Sequence, residues 1–335
     1  MRPTLIVLLL LIQIIPSLAQ VKHTIPGFAQ GTTYSITYYH ERELLSKSSA
    51  DSIFASIDSS LSIYKPYSLI SRFNTATDSI VMDPHLFAVV QSSLQIHKAS
   101  NGIFDITIKP LMDLWGFGQS KRDSLPSSEE IKNIMNCIGS HHLTTKDSVL
   151  RKNNSYVQID VNGIAQGYTV DVLSNFLTEI GIRNFIIELG GEIRANGRKN
   201  SGKTPFKVGI EVPSDDLLSP HMVRYIVLDS GAITTSGSYR KYYEVEGRRI
   251  SHLIDPRSGF PSDNKILSVS VVAPTAMIAD AWDNVFMLVP LSESIELLQK
   301  LNDIEAFIVY RNSDGTLKTY KSKGFPDWAK GSRDN

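Results

Sequence analysis

A short apolar run that ends in an acidic, glycine-containing turn and continues as an amphipathic pattern constrains this chain most strongly. Residues 156–159 form the apolar run, and Asp160, Gly163 and Gly167 follow it. The apolar positions that come next, spaced for one buried helical face, are Val170, Leu173, Leu177 and Ile180. The pattern therefore predicts a strand, a turn and a helix in succession. Such a junction suits phosphate or metal binding, although many similar turns serve packing alone.

Polar residues also lie in or beside other predicted turns. Gly190 and Gly191 follow an apolar strand, residues 234–238 are predicted to join two strands, and residues 251–261 form a loop with two prolines. Ser236 and His252 belong to the last two of these segments, and an acidic cluster, Asp280 to Asn284, lies further downstream. The cluster adds weight to a functional interpretation of the turns, although Asp280 alone is equally typical of an ordinary helix acid.

Periodic patterns along the chain predict a mixed fold. Predicted strands cover residues 33–39, 184–189, 206–212, 225–228, 239–244, 266–273 and 306–310. Predicted helices cover residues 41–61, 84–99, 127–137, 276–288 and 292–301. The first helix is expected to bury Leu44 and Leu45, and Ser127 or Ser128 is expected to cap the third. Strands in runs, with helices inserted irregularly, favour the α+β class, built as one large domain or two intimately packed halves.

The first residues have the pattern of a secretory signal. Arg2 supplies a positive charge, residues 5–15 are an apolar run, and Ala19 ends a small-x-small pattern. The run is shorter than the roughly 20 apolar residues of a membrane span. No cysteine follows the run, so a lipid anchor is not indicated. We expect residues 1–19 to be removed and residues 20–335 to be an exported, periplasmic or otherwise extracytoplasmic protein without a stable membrane span; a retained anchor is the alternative.

Composition excludes some classes of protein. Cys137 is the only cysteine, so no intramolecular disulfide forms, and the 42% hydrophobic content must supply the core. Lysine plus arginine and aspartate plus glutamate each number 34, and no basic stripe is visible, so nucleic acid is an unsuitable partner.

Three tempting groups have ordinary structural interpretations. Cys137 lies on a predicted helix beside apolar residues, which favours a buried, inert thiol. His141 and His142 are adjacent and favour an exposed loop over a metal pair. Trp115 and Phe117 are compatible with a flavin platform and equally with core packing.

The chain resembles the ApbE family, the FAD:protein FMN transferases, in a series of ordered motifs. They are Gly-Thr-Thr-Tyr at 31–34, Ser-Ile-Tyr-Lys-Pro at 62–66, Ile-Ser-Arg-Phe-Asn at 70–74, Gly-Ile-Phe-Asp-Ile-Thr at 102–107 and Leu-Trp-Gly-Phe-Gly at 114–118. The turns at Asp160, Gly190, Ser236 and His252 are similar to the family's in order, and the Asp280 cluster resembles its metal-binding helix. The resemblance covers nearly all of residues 20–335.

The resemblance implies an α+β enzyme that binds FAD and depends on Mg²⁺. It implies cleavage of the FAD pyrophosphate, release of AMP and attachment of FMN to a threonine of an acceptor flavoprotein. The implied acceptors are flavin-carrying subunits of membrane redox complexes or related exported reductases. Two alternatives remain open, namely a periplasmic FAD pyrophosphatase, in which water replaces the threonine, and a non-enzymatic flavin-binding protein.

The resemblance also assigns site residues. The implied metal ligands are Gly163 (through its carbonyl), Asp280 and Asn284, the last two one helical turn apart. His252 is the implied base and Asp283 a second catalytic residue. The residues implied to contact or line the flavin nucleotide are Gln30, Tyr64, Phe104, Asp105, Asp160, Gln166, Ser236, Ile254 and Asp283.

The chain departs from the family pattern at two of these positions. Asn284 stands where threonine is common, and Gln166 stands where lysine is common. An asparagine keeps an oxygen ligand for Mg²⁺. The loss of the lysine removes a positive charge near the nucleotide, and weaker FAD binding is expected.

We predict that the exported protein begins at Gln20, because Ala19 ends the small-x-small pattern. Mass spectrometry of protein exported from its native host measures the N-terminus directly. An intact Met1, or a lipid adduct, would contradict the prediction.

Overall fold

The computed structural model describes residues 20–118, 122, 124–199, 203–213, 221–238, 242–245 and 248–329. The predicted signal segment, residues 1–19, and residues 239–241 of one predicted strand lie outside the described residues. The strands, in chain order, are β1 (Val21–Ala29), β2 (Thr32–His40), β3 (Ser79–Val81), β4 (Leu143–Lys146), β5 (Val149–Lys152), β6 (Asn184–Leu189), β7 (Glu192–Asn196), β8 (Lys207–Pro213), β9 (His221–Val227), β10 (Ser230–Gly237), β11 (Tyr242–Val245), β12 (Arg248–Ser251), β13 (Ile266–Ala273), β14 (Glu305–Arg311) and β15 (Leu317–Lys321).

The helices alternate irregularly with these strands. They are α1 (Lys47–Leu61), α2 (Leu69–Thr75), α3 (Pro84–Ala99), α4 (Lys109–Leu114), α5 (Ser128–Met135), α6 (Ala165–Glu179), α7 (Ala276–Leu288) and α8 (Leu291–Leu298). Ser127 caps α5 in a capping box with Glu130, which settles the choice between the two serines. The predicted α+β class is confirmed.

An antiparallel sheet of eight strands, in the order β1-β2-β6-β7-β10-β13-β14-β15, forms the centre of the fold. Period-two alternation sends Val269 and Val271 of β13 toward a core shared with Trp282 and Phe286 of α7. The opposite face packs Phe307 and its neighbours against the β8–β9 hairpin. Helices α6 and α7 therefore lie on the same side of the sheet, which is the side of the candidate site.

The strand predicted at residues 156–159 is wrong. The segment belongs to no strand, and Tyr156 lies in a turn. The side chain of Asn74 accepts a hydrogen bond from Ile159 N (2.7 Å) and donates one to Ile159 O (2.9 Å). A side-chain amide thus replaces the neighbouring strand, and the backbone groups are satisfied without a ladder.

The helix predicted at residues 41–61 begins later, at Lys47. Ser46 is the N-cap, and its side chain accepts a hydrogen bond from Ser49 N. Leu45 is fully buried as predicted but lies before the helix, where its N–H donates to the Tyr38 hydroxyl at 3.2 Å. Leu44 is 37% exposed, so its predicted burial is wrong.

The turn predicted at residues 234–238 is also wrong over most of its length. These residues lie largely within β10, which pairs Thr234 with Val271 and Ser236 with Val269 of β13. Polar side chains in this segment favour a turn, because no local sequence pattern shows that they face a helix rather than water. Within the described residues, no helix is long and apolar enough to cross a membrane.

Candidate active site

The turn that begins at Asp160 organises one wall of the site. Asp160 N donates to Ile106 O at 2.8 Å, and the Asp160 carboxylate accepts from Asn162 N at 2.7 Å. The side chain thus closes a tight turn on its own backbone. Val161 O then accepts from the N–H groups of Ile164 (3.0 Å) and Ala165 (2.9 Å), and α6 begins. The predicted turn and helix at this position are confirmed.

Helix α7 is fixed against α6 by a buried aspartate. The Asp171 carboxylate accepts from Ala276 N and Met277 N, each at 2.9 Å, and from Arg194. It satisfies free N–H groups in the first turn of α7 and lies where the helix dipole favours negative charge. Burial raises the pKa of Asp171, while Arg194 and the two N–H donors act in the opposite direction.

The acidic face of α7 consequently meets the Asp160 turn. Gly167 N donates to Asp280 Oδ2 at 3.0 Å, and the Asp280 residue is only 5% exposed. The Asn284 amide nitrogen faces four oxygen atoms: Asp280 O (2.8 Å), Asp283 Oδ1 (3.1 Å), Asp280 Oδ1 (3.4 Å) and Gly163 O (3.5 Å). The structure thus brings the three predicted metal ligands together.

Asp283 lies behind this cluster rather than in the cavity. It is 1% exposed, and its Oδ1 accepts from Ser236 Oγ at 2.9 Å. Burial, and next the neighbouring Asp280 carboxylate, raise the pKa of Asp283 well above its usual value; the hydroxyls of Thr234 and Ser236 act in the opposite direction. A positive charge between the two carboxylates would relieve this repulsion.

A cavity of about 330 Å³ opens beside the cluster, within the range of about 300–1,000 Å³ typical of small-molecule sites. Most predicted site residues line it: Tyr64, Phe104, Asp105, Asp160, Gly163, Gln166, Ser236, His252, Ile254, Asp280 and Asn284. Tyr64 is 62% exposed, so its ring is available to a ligand at the surface. Residues separated by more than two hundred positions in the chain therefore share one concave surface.

Gln30 does not line the cavity. It lies in the turn between β1 and β2 with φ of 50°, and its Nε2 donates to Thr169 Oγ1 of α6 at 3.0 Å. The side chain ties the hairpin to α6 instead of projecting into the cavity. Its expected nucleotide contact remains a prediction from resemblance.

Asp105 lines the cavity, but its carboxylate is engaged within the protein. It accepts from Thr107 N and Ser140 N, each at 2.8 Å, and lies 3.1 Å from His97 Nδ1. Although burial raises it, hydrogen bonds from His97 and Thr107 hold the pKa of Asp105 below its usual value. The Asp105 partners therefore fix the segment that places the Phe104 ring in the cavity.

His252 lines the same cavity, directly after β12. Its ring meets the edge of Phe117, with ring centroids 6.2 Å apart, and both residues line the cavity. The following loop is closed by Gly259 N donating to Asp255 O at 2.8 Å, and Trp115 Nε1 donates to Gly259 O at 2.8 Å. Trp115 is 5% exposed and belongs to the core, whereas Phe117 belongs to the cavity.

Cys137 and the adjacent pair His141 and His142 have the ordinary structural roles that the sequence favours. Cys137 is buried, and burial raises the pKa of its thiol, as expected for an inert cysteine. His141 is exposed and its ring packs at a tilt against His142, whose Nδ1 lies 2.7 Å from Asn153 Oδ1. Neither histidine lines the cavity.

Sequence reasoning missed several lining residues, including Met112, Asn162, Glu192 and Leu288. Glu192 follows the Gly190–Gly191 turn, and a Cβ at Gly190 would lie 3.3 Å from Glu192 Oε2 and from Gln166 Nε2. Gly190 and Gly191 were the sequence signal for Glu192, because they permit the turn that places Glu192 at the cavity.

The donor set fits a hard cation with few protein ligands. Within the described part of the chain, no three His, Cys, Asp or Glu side chains are arranged to hold a metal ion. Asp280, the Gly163 carbonyl and the Asn284 amide nevertheless converge, and carboxylate, carbonyl and amide oxygens are ligands of Mg²⁺. Rotation of the amide would turn its oxygen toward the place where its nitrogen now donates, since the two orientations have nearly the same shape.

Comparisons with known proteins agree on one family. The ApbE family model matches residues 30–308. The FAD:protein FMN transferase of Vibrio cholerae serotype O1 is 33% identical over 89% of this chain and 90% of its own length. That of Escherichia coli K12 is 33% identical over 80% of this chain and 77% of its own length.

Solved structures give the same result. The flavin transferase ApbE from Vibrio cholerae superposes with a TM-score of 0.83 at 31% identity, covering 91% of this chain and 98% of that one. The flavinyl transferase ApbE of Pseudomonas stutzeri, in its apo form, superposes with a TM-score of 0.82 at 32% identity, covering 92% and 96%.

We predict that Asn284→Asp lowers thermal stability without Mg²⁺ and raises Mg²⁺ affinity at least about tenfold. The new carboxylate would face the oxygens that the amide nitrogen now satisfies, and only a cation would relieve the repulsion. Thermal melts and calorimetry with Mg²⁺ measure both effects. Asn302→Asp, the same charge change at an exposed position, is the control; an equal response in both variants would contradict the prediction.

Proposed function

Because the chain belongs to the ApbE family, we propose that it transfers FMN from FAD to a threonine of an acceptor flavoprotein, with Mg²⁺, and releases AMP. The enzyme class, FAD:protein FMN transferase, follows from relatives that are 33% identical over 80% and 89% of this chain. The observation that carries the proposal is the convergence of Asp160, Asp280, Asn284 and His252 on one cavity.

The proposed reaction exchanges one bond to phosphorus for another. The threonine oxygen bonds to the phosphorus of the FMN half of FAD, and the bond from that phosphorus to the bridging oxygen breaks. AMP leaves with the bridging oxygen. His252 takes the threonine proton, a task for which an imidazole is suited because its ring nitrogen can accept a proton near neutral pH.

The residues on the α7 wall would hold the diphosphate and its counter-ion. Asp280, the Asn284 amide oxygen and the Gly163 carbonyl are the groups that would hold Mg²⁺. A bound Mg²⁺ would neutralise charge on the phosphoryl oxygens. Asp160 and Gln166 line the same cavity and would contact the nucleotide, while the rings of Tyr64 and Phe104 offer flat surfaces to the flavin.

The acceptor and the location are parts of the same proposal. A signal-like segment at residues 1–19 supports action outside the cytoplasm. We therefore propose an exported acceptor, such as a flavin-carrying subunit of a membrane redox complex or an exported reductase.

The proposal is tested by incubating the protein with FAD and Mg²⁺, first alone and then with a candidate acceptor domain. We expect covalent FMN on the acceptor together with an equal amount of AMP. Without the acceptor, no AMP should form. AMP without acceptor would instead support an FAD pyrophosphatase, and FAD binding without AMP would support a flavin-binding protein.

We predict that His252→Ala lowers the FMN transfer rate about 10²-fold or more while FAD affinity changes little, because that is a typical contribution of a general base. Single-turnover transfer at saturating FAD and a separate FAD titration measure the two effects. His141→Ala, an exposed histidine outside the cavity, is the matched control. A collapse of FAD affinity with a normal saturated rate would give His252 a binding role instead.

We predict that Mg²⁺ binds the free protein weakly and binds much more tightly when FAD is present. Asp280 supplies a single carboxylate beside the neutral Asn284 amide, so the ion needs the diphosphate oxygens. Calorimetry with and without FAD measures the synergy, and Asp280→Ala should abolish turnover. Asp327→Ala, at a side chain that is 99% exposed, is the control. Equal Mg²⁺ affinity in both titrations would refute this site.

A further inference from the structure

The position of Asp160 depends on a segment that has no strand partner. Residues 157–159 belong to no strand, and the backbone of Ile159 hydrogen-bonds to the side chain of Asn74. Asn74, the residue that bonds Ile159, is 7% exposed and lies in the last turn of α2. Both of its amide atoms are used, Oδ1 as acceptor from Ile159 N and Nδ2 as donor to Ile159 O.

Two further contacts complete the support of the segment. Lys152, which is 5% exposed, donates from Nζ to Val157 O at 2.8 Å and lies 4.9 Å from the centre of the Phe73 ring. Asp160 N donates to Ile106 O at 2.8 Å. Of these three supports, the Asn74 pair is the one that holds both the N–H and the C=O of a single residue, and that residue directly precedes Asp160.

We propose that Asn74 is a positioning residue of the nucleotide site. Its amide substitutes for a β-strand at Ile159, and it thereby fixes the Asp160 turn from which α6 and the Gly163 carbonyl follow. That this turn serves FAD rests on the function proposed above. Asn74 does not line that cavity, so it acts on the ligand only through Ile159 and Asp160.

The amide is suited to this task because it donates and accepts in one plane. A leucine of similar shape would leave two buried backbone groups unsatisfied. An ionised aspartate would keep the acceptor for Ile159 N but would set a negative oxygen against Ile159 O. A protonated aspartate would restore both hydrogen bonds, since its O–H donates where the amide N–H donated.

Asn74→Asp therefore tests the proposal within one protein. The introduced carboxyl should be protonated at low pH and ionised at high pH, with burial shifting its titration above the usual value of about 3.9. The ratio of its FAD dissociation constant to that of the wild type is measured from about pH 4.5 to about pH 8.5. We expect a ratio of about tenfold or more at the upper end, falling toward one at the lower end. The wild-type titration at each pH removes the contribution of other groups.

The titratable groups around Asn74 come from several elements. Lys152 lies beneath the segment, the Lys109–Asp113 pair of α4 shares a second cavity with Asn74, and Asp160 lies beyond Ile159. The lysines would favour the ionised carboxyl, and the aspartates would oppose it. All four are present in both proteins, so the ratio isolates the substitution.

A matched control exists at Asn264. Its Nδ2 donates to Met287 O at 2.7 Å, and its Oδ1 accepts from Ile266 N at 2.9 Å, while none of these residues lines the FAD cavity. Asn264→Asp disturbs a similar amide and should cost stability without a pH-dependent FAD ratio. A ratio for Asn74→Asp that stays constant with pH, or the same dependence in Asn264→Asp, would overturn the proposal.

Hydrogen exchange without FAD tests the positioning role of Asn74 independently of the proposed function. Without FAD, amides of residues 159–163 in Asn74→Asp should lose protection at high pH and regain it at low pH, relative to the wild type. Unchanged protection would overturn the positioning role whether or not FAD binds. A wild type that binds no FAD, combined with the expected exchange, would contradict the function and leave the positioning role supported.

Discussion

The close approach of α6 and α7 at Gly167 is the constraint on which the site depends. A Cβ at Gly167 would lie 2.3 Å from Ala276 O and 2.9 Å from Asp280 Cβ, so no other residue fits without moving a helix. Gly167 lies in the first turn of α6, where its N–H has no acceptor within the helix, and the close approach lets this N–H bond Asp280. Asp171, one turn further along α6, holds the first turn of α7. These contacts fix where the acidic face of α7 meets the turn at Gly163.

Two buried carboxylates of α7 repel each other behind the site, and nearby hydrogen-bond donors offset this repulsion. Asp280 and Asp283 are both buried, and their repulsion contributes to the raised pKa of Asp283. Ser236 and the Asn284 amide supply donors to the Asp283 carboxylate. The Asn284 amide therefore has two uses. Without a cation, its nitrogen donates to the surrounding oxygens; with a cation, its oxygen would join them as a ligand. A threonine at this position would offer one hydroxyl and a smaller set of donors.

Local sequence patterns predict correctly the elements that bury one continuous face. They give the wrong conformation where a side chain distant in the sequence holds the backbone. Helices α3 and α7 and strands β6 and β13 have the predicted bounds because their apolar spacing is self-contained. The sequence around Ser236 predicts a turn, because the partner of this residue, Asp283, lies 47 positions away. The segment before Asp160 is predicted as a strand, because its partner is the side chain of Asn74, 85 positions away. The site residues themselves came from motif resemblance, and Gln30 shows that a matched position need not reach the cavity.

The cavity is supported by two cores, and the segment that carries His252 contacts both of them. The wall with Asp160 and Asp280 is built on α6, α7 and the central sheet. The loop after His252 rests instead on a small core that includes Trp115, Ile131 and Ile254, and Trp115 bonds it through Gly259 O. A Cβ at Gly259 would lie 2.8 Å from Ile131, so α5 packs directly beneath the loop. Leu253, the residue after His252, belongs instead to the core that holds Ala279 and Trp282 of α7. The segment that carries His252 is therefore anchored in both cores, which couples the position of the histidine to that of the Asp280 helix.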